Sequence, residues 1–363
     1  MRQHVIHRPG GYDRLQIETR TPPEALGPDE VDIDVRACGV NFADCVVRMG
    51  LYESAKHYVG WPITPGFEVA GLVRRVGAAV TAHRPGDAVI GVTRFGGYAT
   101  RLCVPSAQVF ARPAGWSDAE TAAFSAVQLT AWWALFELAH PRPGARLLVH
   151  SAAGGVGQAL CALGRIAGAH ITGVVGAQAK TEAARRAGAH EVEVAGAYLE
   201  DRLRAHAPHG FDVVLDATGY ETLPMSWRLL APGGKLVVYG FHSMFARGRG
   251  RPDWLRLAWG WLRTPRFNPL ELTGANKSLL AFNLSYLFDR TDLLTLAMRD
   301  LLGWVADGRL RPPEVTTFPF DRAADAQRAL ETGTTTGKLA LIVNSSETIQ
   351  SASVTCGRVT VSG

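Results

Sequence analysis

The chain has 363 residues, 47% of them hydrophobic and 20% charged, with a formal net charge of +5. Length and balance predict two globular domains with cores of their own, and the positive charge is dispersed rather than gathered into basic blocks, which argues against a nucleic-acid partner. No uninterrupted apolar run reaches the ~18 to 20 residues of a spanning helix, and the first seven residues lack the apolar core of a signal peptide, so a cytoplasmic location is expected.

The first third is rich in short β-type runs separated by Gly and Pro. Residues 31–35, 69–73, 87–91 and 98–104 alternate or bury fully over lengths that suit a compact β-barrel. Three motifs lie among them: Gly39-Val-Asn-Phe-Ala-Asp44, Arg48-Met-Gly-Leu-Tyr52 and Pro65-Gly-Phe-Glu-Val-Ala-Gly71. The five cysteines, Cys38, Cys45, Cys103, Cys161 and Cys356, are odd in number and form no C-x-x-C pair. They read as free thiols, not as a structural zinc lobe. From 119 to 139 the pattern turns helical.

The strongest signal follows. Leu147, Leu148 and Val149 form an apolar run suited to a central parallel strand, and Val156, Leu160, Leu163 and Ile166 recur at helical spacing. Between them, Ala152-Ala-Gly-Gly-Val-Gly157 is a glycine turn that lacks the first glycine of G-x-G-x-x-G. Ala153, Gly154, Gly155, Val156 and Gly157 would let a pyrophosphate approach the backbone, and the N-terminus of the next helix would supply N–H groups and positive dipole to it.

Residues 169–175 read as the second strand of the unit. Where an NAD-preferring site places an acidic side chain on the ribose, this chain has Gly176-Ala-Gln-Ala-Lys180. Of 38 basic residues only five are Lys, so a Lys at that turn is not background composition. Gly176 would leave room and Lys180 would meet a 2′-phosphate, which predicts NADPH; the alternative is a Lys that merely solvates a surface helix.

Two further strand-like runs, 211–217 and 234–240, alternate with helical segments as a doubly wound parallel sheet requires, and residues 231–234 read as a turn. Gly219, Gly240 and Phe241 fall at carboxyl ends of those strands, the edge along which dinucleotides lie. A segment rich in Arg and Trp spans about 245–272. It would be a helix packing its aromatics over the substrate cleft or a subunit neighbour, or one lying on an anionic membrane. Residues 337–343 form a final strand, and the polar stretch beyond, 346–363, is expected to be a frayed tail.

Together the three N-terminal motifs and the glycine turn resemble the zinc-independent quinone oxidoreductases of the medium-chain dehydrogenase/reductase superfamily, over about residues 31–343. Residues 254–272 and 287–308, with Gly274-Ala-Asn-Lys277 and Asn283-Leu-Ser-Tyr286, resemble the vesicle amine transport protein-like branch. The resemblance implies an α/β protein: a GroES-like β-barrel catalytic domain (1–123, completed by about 310–345) beside a Rossmann NADPH-binding domain (124–309). The nicotinamide would lie between them, and the protein would form a homodimer. Where zinc-dependent cousins place a Cys ligand this chain has Asn41, and for their Gly-His-Glu it has Gly66-Phe67-Glu68, so no catalytic metal is expected.

The implied reaction is hydride delivery to a quinone or an α,β-unsaturated carbonyl. Asn41 would orient the substrate carbonyl or the cofactor's ribose, and Tyr52 would give a proton or hydrogen bond to the developing enolate oxygen. For Asn41 the alternative is a turn residue, and for Tyr52 a packed ring. Thr130 resembles a residue near the nicotinamide, and Lys338 follows the family's terminal Gly-Lys, where it would reach the cofactor cleft or sit on the surface. Enoyl-thioester reduction, and an NADPH-binding protein working mainly through peripheral membrane or partner contact, are the alternative functions.

Overall fold

The computed structural model describes residues 1–245 and 248–344; the expected tail, 346–363, lies outside them. The N-terminal part carries β1 (Arg2–Val5), β2 (Gln16–Thr19), β3 (Glu30–Val40), β4 (Glu68–Val76), β5 (Ala88–Val92), β6 (Arg101–Pro105) and β7 (Val109–Ala111). The central part carries β8 (Arg146–Val149), β9 (His170–Val175), β10 (Glu191–Val194), β11 (Phe211–Asp216), β12 (Leu230–Val238) and β13 (Ser278–Ala281); β14 (Val315–Pro319) and β15 (Lys338–Ile342) close the chain.

β3 organises the first sheet because it is long enough to serve two partners along one edge. Its first half, Glu30 to Asp34, pairs with β6, and its second half, Ala37 to Val40, pairs antiparallel with β15. β4 takes the other edge, followed by β5 and β7. Val31, Ile33 and Val35 alternate inward into a core with Val69, Val89, Tyr98, Leu339 and Leu341. The return of β15 puts Leu339 opposite Val40, so Lys338 arrives beside the loop that begins at Asn41.

The second sheet has six strands in the order β10-β9-β8-β11-β12-β13, all parallel. Counted within that sheet the order is 3-2-1-4-5-6, the doubly wound arrangement whose crevice lies at the carboxyl ends where the order reverses. Leu147, Leu148 and Val149 of β8 are all buried, as a strand covered on both faces requires. The helix Gly155–Ile166 packs Leu160 and Leu163 into the same core.

One sequence expectation is altered, and the structure adds to two others. The turn expected at 231–234 lies inside β12: Phe211 pairs with Leu230 but Val213 with Lys235, so the Pro-Gly-Gly residues form an excursion in a strand that then resumes. The helical stretch Asp118–Ala139 is, among the described residues, long and apolar enough to cross a membrane, although 67% of its apolar window is buried within the fold. The helix Trp254–Arg263 leaves much of its apolar surface uncovered by the described residues of this chain. The helix sits down on Gly260, where an added Cβ would be 3.1 Å from Met244 and Tyr220, and on Arg256, which donates to the Ser243 carbonyl. Trp254, Leu255, Trp259, Trp261 and Leu262 are each more than half exposed.

Candidate active site

The glycine turn forms the floor. After β8, Ser151 takes φ +55, Ala152 and Ala153 are buried, and Gly154 caps the helix Gly155–Ile166. The opening N–H groups of that helix have no intrahelical acceptor and point with its positive dipole end. A Cβ on Gly157 would stand 2.2 Å from the Ser151 carbonyl oxygen, so this glycine lets helix and turn touch. The missing first glycine is accommodated from the neighbouring strand: a Cβ on Gly173 would lie 2.8 Å from that of Ala152. Gln158 Nε2 and the Gly337 N–H both donate to the Ala153 carbonyl, at 3.0 and 3.1 Å, tying the approach to β15 onto the turn. These residues fit the diphosphate of a dinucleotide.

At the other end of that groove Gly176 follows β9, and a Cβ there would meet nothing within 4 Å. Lys180 ends the short turn Gln178–Lys180, and its ammonium donates to the carbonyls of Gly333 and Thr335, at 2.6 and 2.9 Å. Along the carboxyl edge, the buried Asp216 accepts from the N–H groups of Thr218 and Gly219 and the hydroxyls of Thr222 and Ser226. That fixes a turn in which Gly219 takes φ +97, leaving its missing Cβ 3.0 Å from the Phe241 ring. Gly240 and the partly exposed Phe241 follow β12 on the same edge.

Where the two sheets meet, Asn41, Glu68 and Lys338 form one polar knot. Lys338 Nζ donates to Asn41 Oδ1 at 2.8 Å, to Glu68 Oε1 at 2.9 Å and to the Val40 carbonyl at 2.9 Å. Asn41 Nδ2 donates to Glu68 Oε1 at 3.0 Å, while Glu68 Oε2 takes the Ser125 hydroxyl and the Ala126 N–H. An ammonium can only donate and a carboxylate can only accept, so the Asn41 amide has one orientation. The second N–H of Nδ2 has no acceptor among the described residues. Lys338 is therefore buried, not a surface residue. Its stem passes Gly155, where a Cβ would be 2.9 Å from Lys338 Cδ.

Asn41 opens the helix Phe42–Arg48, and its N–H is accepted by Asp44 at 2.8 Å. Asp44 also accepts from the Gly66 N–H and the Tyr98 hydroxyl, stitching the loop to the Gly66-Phe67-Glu68 strand. Burial pushes its carboxyl up to about 7 against those three donors. Thr130 is one turn beyond Ala126, and its hydroxyl donates back to the Ala126 carbonyl at 2.7 Å. Cys38 is buried and its thiol is pushed upward by burial, so it is a packing residue.

Tyr52 stands edge-on to the rings of Phe67 and Phe95, and burial raises its hydroxyl above the ordinary range. That hydroxyl donates to Asn283 Oδ1 at 2.9 Å, across from the second sheet. The sequence offered Glu68 only as part of a motif and Asn283 only as part of a branch-like segment. Their roles depend on contacts between residues far apart in the chain.

Residues 27–114 match the family described as alcohol dehydrogenase GroES-like domain, and residues 187–341 the family described as zinc-binding dehydrogenase. The fold and the paired sheets define a medium-chain dehydrogenase/reductase. The chain is 34% identical over 336 residues to the synaptic vesicle membrane protein VAT-1 homolog of Rattus norvegicus, covering 92% of this chain and 82% of that protein. It therefore belongs to the vesicle amine transport protein-like branch of that superfamily. Among solved structures, the Escherichia coli quinone oxidoreductase complexed with NADPH superposes with a TM-score of 0.80 at 26% identity, covering 94% of this chain and 100% of that one. The CurK enoyl reductase gives 0.80 and 26%, covering 94% and 98%.

The zinc in one family's description does not fit this knot. The carboxylate of Glu68 already carries a lysine ammonium, Asn41 and Phe67 replace soft or imidazole donors, and no group of three or more His, Cys, Asp or Glu that could hold a metal ion occurs among the described residues.

Proposed function

We propose that this protein is a zinc-independent, NADPH-dependent oxidoreductase that reduces a quinone or an α,β-unsaturated carbonyl. The observation that carries the reading is the locked Asn41 amide, held by Lys338 and Glu68 next to the glycine turn. Reduced nicotinamide, when bound, supplies the hydride. The residues of this chain then have positioning work to do. The helix N-terminus at Gly154 to Gly157 takes the diphosphate, Gly176 and Lys180 the adenosine ribose and its 2′-phosphate, and Gly219, Gly240, Phe241 and Thr130 border the nicotinamide end. Asn41 directs its free N–H to the acceptor oxygen, where charge builds as the substrate is reduced. Tyr52 walls the pocket with Phe67 and Phe95, and the completing proton comes from solvent.

Loss of NADPH absorbance with a panel of simple quinones and enones tests this. Turnover in the native protein and a fall of about 10- to 100-fold in kcat/KM for Asn41→Ala are expected; absence of turnover across the panel overturns the reading. Enoyl thioesters belong in that panel, since one structural relative is named an enoyl reductase. We also infer a cytoplasmic homodimer, with β13 offering an unpaired outer edge at the end of the second sheet.

A second reading is favoured by the exposed Trp and Leu face of helix Trp254–Arg263, interleaved with Arg256 and Arg263, and by relatives named as vesicle membrane proteins. In it the protein binds NADPH but works by peripheral contact with an anionic lipid surface. Co-sedimentation with phosphatidylserine vesicles, lost in Trp261→Glu, together with absent turnover would select it.

A further inference from the structure

Asn283 lies two residues beyond β13, on the carboxyl edge of the second sheet where Gly219, Gly240 and the glycine turn also lie. Its side-chain oxygen is crowded. Oδ1 takes the Tyr52 hydroxyl at 2.9 Å, the Ser285 N–H at 3.0 Å and the Ser285 hydroxyl at 2.7 Å, and the latter also stands 2.7 Å from the Ser54 hydroxyl.

A backbone N–H can only donate, so the Ser285 contact fixes which end of the Asn283 amide is oxygen. Two consequences follow. The proton of Tyr52 is directed at an acceptor that has no proton to return. The Asn283 Nδ2, with two N–H groups, is turned the other way and meets no acceptor among the described residues. Ser54 and Ser285 are buried behind this contact, on the oxygen side of the amide.

We propose that Asn283 is a catalytic residue that donates from Nδ2 to the acceptor oxygen of the substrate. It pairs with Asn41 so that each domain contributes one orientation-locked amide, while Tyr52 holds Asn283 in place instead of supplying the proton. The proposal rests on the reductase reading above. A substrate with one carbonyl oxygen between two amide donors is the class this arrangement takes: a quinone or an enone, whose oxygen gains negative charge as its ring or β-carbon accepts hydride, and which then takes its proton from water.

The test uses the full-length protein with NADPH, the quinone and enone panel, and the variants Asn283→Asp, Asn283→Ser and Tyr52→Phe. The aspartate keeps an acceptor for Tyr52 and Ser285 but has no N–H. It is expected to bind NADPH within about threefold of the native protein and to lose about 10- to 100-fold in kcat/KM at neutral pH. Activity should recover as pH falls and the carboxyl acquires a proton to donate, an acid-side rise that a merely structural role would not produce. Asn283→Ser, with a single donor, should fall between, and Tyr52→Phe, which removes one of the three contacts on Asn283 Oδ1, should lose less than Asn283→Asp and keep the native pH profile. If Asn283→Asp matches the native pH profile and kcat/KM, or if Tyr52→Phe is the more damaging change, the assignment of Asn283 is overturned and the reductase reading stands. If the native protein turns over none of the panel, both fall.

Discussion

Lys338 and Asn41 are 297 residues apart, yet the ammonium of one donates to the amide oxygen of the other at 2.8 Å. The contact exists because β15 lands on the second half of β3 and because Gly155 leaves room for the lysine stem. Substituting Lys338→Met would leave the Glu68 carboxylate buried without its cation, a change that costs about 3 to 5 kcal/mol in such pairs. Chemical denaturation of Lys338→Met, Glu68→Gln and the double variant checks this. The double variant should recover much of the loss while kcat/KM stays low, since neither neutral side chain can hold Asn41 as the ammonium does.

Asp44 gives the protein an acid-side signature. Its folded-state pKa of about 7 lies above the ordinary carboxylate range, because burial outweighs the donated hydrogen bonds of Asn41, Gly66 and Tyr98. The folded state then binds a proton that the unfolded state has released. This group's contribution to stability is greatest below about pH 4, falls as pH rises from there to about 7, and is constant beyond, with a slope of up to about 1.4 kcal/mol per pH unit. The difference in unfolding free energy between the native protein and Asp44→Asn, followed from pH 5 to pH 8, should decline up to about pH 7 and level off above it.

Two glycines of the cofactor groove separate a structural role from a ligand-contacting one. Gly157→Ala drives a methyl to 2.2 Å from a backbone oxygen, so thermal stability and NADPH affinity should fall together. Gly176→Val meets nothing of the protein within 4 Å at its Cβ. Its melting temperature should hold within about 1 °C, while NADPH titration by fluorescence should show weaker binding, because the new side chain enters the volume proposed for the ribose.

The proposed function assigns the choice of nucleotide to Lys180. On binding, its ammonium would leave the carbonyls of Gly333 and Thr335 for a 2′-phosphate. Lys180→Ala should therefore raise the Kd for NADPH by about tenfold and leave that for NADH unchanged. Equal changes for the two nucleotides would place Lys180 among the structural residues of the 333–335 loop.

The nucleotide half of the fold was legible where local pattern and burial agree. Leu147 to Val149 form a run that only a doubly covered strand explains, and the bend after it has few uses other than binding phosphate. The N-terminal strands were legible from their lengths and punctuation. Strands at or near sheet edges were not: Glu191–Val194 alternates charge with Val over four residues, and Ser278–Ala281 and Val315–Pro319 run to only four and five, so none rises above a loop signal. The 231–234 turn misread an excursion within a strand. Whether Lys338 reached the cleft or lay on the surface stayed open, because its burial is decided by which strand β15 joins, a pairing across the whole chain. Asn283 was hidden for a local reason, since an Asn two residues before a Ser has the form of an ordinary turn.

The central claim is that a reduced nicotinamide nucleotide works here beside a pocket organised by Asn41, Glu68 and Lys338, with no metal. The most direct measurement is the rate of NADPH oxidation with a quinone or enone acceptor, before and after exhaustive dialysis against a strong chelator. Saturable turnover that the chelator leaves unchanged is expected; turnover abolished by chelation and restored by zinc would contradict it.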